Sequence, residues 1–80
     1  MNKDYEPISC EIYSRYELAI MRGHSLRVHW VDGRGLHRLE NLTPIDLRTR
    51  NHAEFMIALT LAGHRHVLRL DRIRDAVVMD

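Results

Sequence analysis

The apolar residues of this chain change their period at Gly23, and that change constrains the fold more than any other feature. Before it, Ile12, Tyr16, Ala19 and Ile20 recur at helical spacing, which marks one buried stripe on an amphipathic helix. After it, Leu26, Val28 and Trp30 alternate with Arg27, His29 and Val31, the period of a half-buried strand. With 80 residues, a core forms only if the single helix is laid against a small sheet, because each element must bury its apolar face on another.

Local signals fill in the order. Ser9 is an N-cap candidate whose hydroxyl accepts from an early backbone N–H. Glu11 in the first turn and Arg22 in the last complement the helix dipole, and Gly23 is a stop signal. The helix is therefore predicted over about 10–22. Asp32-Gly33 signals a hairpin, since glycine accepts the positive φ of tight turns. The return strand, Arg34 to about Leu42, has Leu36, Leu39 and Leu42 spaced by three, which predicts a bulge, and Thr43-Pro44 ends it. Ile45–Leu47 reads as a short strand and Arg48–His52 as a polar connector. Phe55, Ile57, Leu59 and Leu61 alternate with Glu54, Met56, Ala58 and Thr60 in the clearest strand, and Ala62-Gly63-His64 turns the chain. His66, Leu68 and Leu70 mark the last full strand, and the tail through Val77-Val78 adds a turn or an edge strand. The expectation is an α+β, mostly β fold: an N-terminal helix followed by a small, strongly bent antiparallel β-barrel of Sm-like or OB-like type. It forms a single domain over 1–80, with the barrel over about 24–73.

A domain of this size buries only about 60% of its unfolded surface, which leaves little room for a catalytic cleft and favours binding. Cys10 is the single cysteine, so no internal disulfide forms. No apolar run approaches the roughly 20 residues that span a bilayer, and the N-terminus lacks the layout of a signal peptide; a cytoplasmic protein is expected. Charge is split along the chain. Residues 1–20 carry Lys3 and Arg15 against Asp4, Glu6, Glu11 and Glu17, a net of −2, whereas residues 21–80 carry ten arginines against seven acids, a net of +3. The arginines Arg48, Arg50, Arg65, Arg69, Arg72 and Arg74 suit phosphate recognition, but few aromatics stand beside them as stacking platforms. His64-x-His66 with His52 raises a metal site, yet no further ligands lie at a standard spacing, so no metal and no cofactor are expected. Cys10 at a helix start gains thiolate character but has no base or oxyanion site beside it. The chain reads as no enzyme. Tyr13 lies off the buried stripe and is a candidate rim aromatic, a residue type enriched at interface hot spots.

Tyr5-x-Pro7-Ile8-x-Cys10-x-x-Tyr13, followed by Glu17-Leu18-Ala19, resembles the opening of the Rof (YaeO) family of Rho-specific inhibitors of transcription termination. The later course is similar too: a strand ending at Asp32-Gly33, then Asp46-Leu47, Arg50-x-x-x-Glu54-Phe55 and Leu68-Arg69-Leu70-Asp71-Arg72-Ile73. The resemblance implies a helix on an Sm-like barrel. It also implies a protein that binds the N-terminal RNA-binding domain of Rho and blocks RNA loading, carboxylates competing for a cleft built to hold phosphates; a monomer is expected. The contacts it implies fall on Glu11, Tyr13 and Glu17 of the helix and on Arg50, Asn51 and His52 before the clearest strand. The alternative expectation is an Sm-like module that binds RNA directly through the arginine-rich surface.

Overall fold

The computed structural model describes residues 5–79. Helix α1 runs Cys10–Arg22, opened by the Ser9 hydroxyl accepting from Ile12 N–H at 3.2 Å and closed by Gly23 at φ 66°. Five strands follow: β1 Ser25–Val31, β2 His37–Arg50, β3 Ala53–Leu59, β4 Arg65–Arg69 and β5 Ile73–Met79, with a 3₁₀ turn Leu70–Arg72 between the last two. All ladders are antiparallel, in the order β4-β3-β2-β1-β5. The class is the α+β, mostly β one expected. No β4–β5 ladder closes a barrel among the described residues; the two strands are the edges of a bent sheet.

Strand β2 sets the bend. Its first half, His37–Leu42, pairs with β1, and its second half, Thr43–Arg50, pairs with β3. Thr43-Pro44 was expected to end the strand, but the chain continues through it. Pro44 lacks an N–H to give the ladder, and the register with β3 shifts between Pro44 and Asp46, where a proline is tolerated. The polar connector expected over Arg48–His52 is thereby reduced to a two-residue turn, Asn51-His52, at φ 51° and 65°. Positive φ at both positions is the type I′ geometry that matches strand twist. His52 is a non-glycine residue held in the left-handed region, which costs roughly 1–2 kcal/mol. His52→Gly is therefore expected to raise the unfolding free energy by up to about 1 kcal/mol in urea titrations; a loss of stability would show that the imidazole has a structural partner.

The first hairpin also differs from its sequence signal. Positive φ falls on Gly35, at 80°, not on Gly33. The Asp32 carboxylate accepts from the N–H of Arg34 and Leu36 at 2.9 and 3.0 Å, an Asx-type turn that widens the loop and delays β2 to His37. At the other end of the chain, the sheet runs past residue 73, because β5 pairs along β1 as far as Met79.

The core is a single cluster that gathers Tyr16 and Ala19 of α1, Leu26, Val28 and Trp30 of β1, Leu42, Met56, Ala58, Leu68 and Leu70. Ile8, Tyr13, Leu47, Ile73 and Ala76 pack on its rim. Of the helical stripe, Tyr16 and Ala19 are buried while Ile12 stays 39% exposed. Met56 is fully buried, whereas Met21 points into solvent.

Candidate functional site: an acidic, aromatic face beside the second hairpin

Positions two apart on a helix face away from each other, and positions four apart share a face. Tyr13 and Glu17 are therefore neighbours, about 40° apart around α1, while Glu11 stands roughly 160° from Tyr13. The six residues implied by the family resemblance thus divide. Glu11 is exposed on the far flank, where it accepts from Arg15 at 2.9 Å. Arg50, Asn51 and His52 are exposed at the tip of the β2–β3 hairpin.

Tyr13 sits at the edge of the core, half-buried, where α1 packs against β2. Burial pushes its phenol pKa up, and the negative charges of Glu54, Glu17 and Asp46 push it further in the same direction. The ring is therefore neutral at physiological pH, and three carboxylates act on it electrostatically. Two of them, Asp46 and Glu54, come from the strands of the hairpin whose tip carries Arg50–His52. The Asp46 carboxyl is held below its usual range by the Arg48 side chain at 2.9 Å, which with the Leu47 N–H outweighs the opposing pull of burial.

Tyr5 completes this face. Its hydroxyl donates to Glu54 Oε1 at 3.0 Å across 49 positions of sequence. Burial, followed by that bond to Glu54, pushes its pKa up to about 12. The Arg69 guanidinium lies 5.6 Å from the centroid of the Tyr5 ring, in cation–π range. Arg69 in turn donates to both oxygens of Asp71, at 2.6 and 2.8 Å, and Asp71 also accepts from Glu6 N–H at 3.2 Å. The strap ahead of α1 is thus clasped to β3, β4 and the 3₁₀ turn, which fixes where Tyr13 and Glu17 stand. Sequence reasoning missed Tyr5, Asp46 and Glu54 as members of this face. The motif Arg50-x-x-x-Glu54-Phe55 contained Glu54, but nothing local signalled its pairing with Tyr5.

The arginine surface is more committed than its composition suggests. Arg48 bonds Asp46, Arg69 bonds Asp71, Arg74 donates to the Asp71 carbonyl at 3.2 Å and Arg72 to the Asp32 carbonyl at 3.5 Å. These bonds tie four of the six arginines to neighbours within the fold and reduce the donors that they can offer along a phosphate strand. Among the described residues, no group of three or more His, Cys, Asp or Glu side chains is arranged to hold a metal ion. Cys10 is exposed. No described helix is long and apolar enough to cross a membrane.

No protein-family profile matches the chain. Among solved structures, the proteasome accessory factor B/C (PafBC) of Arthrobacter aurescens is similar in fold, with a TM-score of 0.74 over 94% of this chain at 18% identity. This chain spans only 12% of that one, so the likeness concerns fold alone. Protein rof of Escherichia coli (strain K12) and that of Shigella flexneri are each 34% identical over 73 residues, covering 91% of this chain and 81% of the relative. Identity at that level, sustained over that length, shows that the chain belongs to the Rof family.

Proposed function

We propose that this protein binds the N-terminal RNA-binding domain of the transcription termination factor Rho, blocks RNA loading and so inhibits Rho-dependent termination. The observation that carries the proposal is the half-buried ring of Tyr13 where α1 meets β2, with Glu17 one turn along the helix and Asp46 and Glu54 on the adjoining hairpin strands. A face of this kind offers a basic, RNA-binding cleft both the negative charge and the flat ring that an RNA strand would bring. The helix-capped, bent five-stranded sheet supports an Sm-like architecture that presents this face, and the protein acts as a monomer in the cytoplasm. Glu17 and Tyr13 carry the contact from α1, with Arg50, Asn51 and His52 at its hairpin border. Glu11, on the opposite flank, contributes less.

Purified Rho, a fluorescent RNA ligand and the full chain test this reading. The protein is expected to displace RNA from Rho, and its affinity is expected to weaken as salt rises, because the attraction is between opposed charges. Absence of binding at micromolar concentrations in low salt would end the proposal. A gel shift of RNA by the protein alone would instead favour the direct RNA-binding alternative.

A further inference from the structure

A groove of about 360 Å³ runs between α1 and β5, on the flank of the helix turned away from Tyr13. Its floor is sealed by Ala19, Leu26 and Leu70, each 3% exposed or less. Its walls are the half-exposed aliphatic residues Ile12, Leu18 and Val78, at 39%, 44% and 48%. Arg15, Arg22 and Arg74 stand among the lining residues, with Asp75 the one acid there. Arg15 gives one bond to Glu11 and Arg74 one to the Asp71 carbonyl. A guanidinium carries five N–H donors, so both retain donors for a further anion.

We infer that this groove binds a single-chain anionic amphiphile, a fatty-acid carboxylate, with its acyl chain along the aliphatic walls and its head group on the arginines. The volume lies in the range of small-ligand sites, which are mostly apolar with a few convergent polar groups. The helical wall, 13 residues long, gives about 20 Å of length, which suits an extended chain. A protein partner fits less well. A stable interface buries about 800 Å² on each side around aromatic anchors, and the lining aromatic here, Tyr16, is buried in the core. This site is independent of the proposed Rho contact, which lies across the helix.

Titration of the ¹⁵N-labelled full chain with sodium dodecanoate, kept below its micelle concentration, tests the inference by NMR. Saturable shifts are expected at Ile12, Leu18, Ala76 and Val78. Leu18→Asp and Arg22→Glu, both at exposed positions, are each expected to weaken binding about tenfold or more. Fluorescence of Trp30 checks that either variant is folded. Equal binding of dodecyltrimethylammonium would overturn the inference by removing the role of the arginines. Shifts confined to another surface would overturn it as well. So would binding to phosphatidylglycerol vesicles without binding of monomeric dodecanoate, which would make the flank a membrane-surface contact.

Discussion

Asp71→Ala is expected to remove about 1–3 kcal/mol of unfolding free energy, the usual cost of unmaking charge-assisted hydrogen bonds in a partly buried pair. The Asp71 and Arg69 side chains are only 7% and 13% exposed. Truncating the acid removes both oxygens to which Arg69 donates, while the guanidinium keeps its place against the Tyr5 ring, and it leaves the exposed Glu6 N–H to water. A domain of 80 residues has about 4–12 kcal/mol in total, so the variant should lose a sizeable share of its stability and unfold at clearly lower urea. Urea titration followed by fluorescence of Trp30, the single tryptophan, measures the loss. A change below about 1 kcal/mol would mean that water replaces the clasp. The pH dependence carries the same signature. Burial pulls the Asp71 carboxyl up, but bonds from Arg69 and Glu6 N–H outweigh it and hold the group below its ordinary value. A group depressed in the folded state contributes stability that is complete above its unfolded pKa of about 3.9 and is lost as pH falls through the folded value. The native protein should therefore weaken progressively below about pH 4, and Asp71→Ala should weaken less over the same interval.

Under the proposed function, Tyr13→Ala is expected to weaken Rho binding by about 30-fold, the roughly 2 kcal/mol typical of an interfacial aromatic hot spot. Because Tyr13 also packs on the core rim, the comparison that isolates its contact role is Tyr13→Phe, which keeps the ring and should retain most of the affinity. Glu17→Lys should cost severalfold, with the deficit shrinking as salt screens it. Glu11→Lys should cost less again, since its carboxylate faces the other flank beside Arg15. Titration of labelled Rho with each variant orders the four. If Glu11→Lys proved as damaging as Glu17→Lys, the contact would lie on the groove side of the helix.

Much of the fold was written locally. Ser9, Gly23 and the 3.6-residue period fix α1, and alternation around Trp30 fixes β1, because caps and periodicity act over a few residues. Pro44 misled because a proline inside a strand is ordinarily a stop, and only the long-range pairing of β2 with two different partners reveals that a register shift absorbs it. Gly33 misled for a related reason: Asp32 caps the loop through its side chain and moves the left-handed residue to Gly35. The candidate site was half legible. Tyr13 and Glu17 could be paired from helical spacing alone, which equally separates Glu11. Tyr5, Glu54, Arg69 and Asp71 meet only through tertiary packing, so no local pattern announced them.

The two flanks of α1 bear on how a molecule of formal charge +1 can find a basic partner. Glu17, Glu54 and Asp46 gather negative charge around Tyr13 on one side, while Arg15, Arg22 and Arg74 gather positive charge on the other. Such a body feels little net push or pull at a distance, but it feels a torque. In the field of a cationic cleft it turns its acidic side forward before contact, so fewer encounters are wasted in the wrong orientation. The near-neutral sum therefore hides a compass needle, and a substitution that reverses one pole, such as Arg22→Glu, acts on orientation even where it touches no partner.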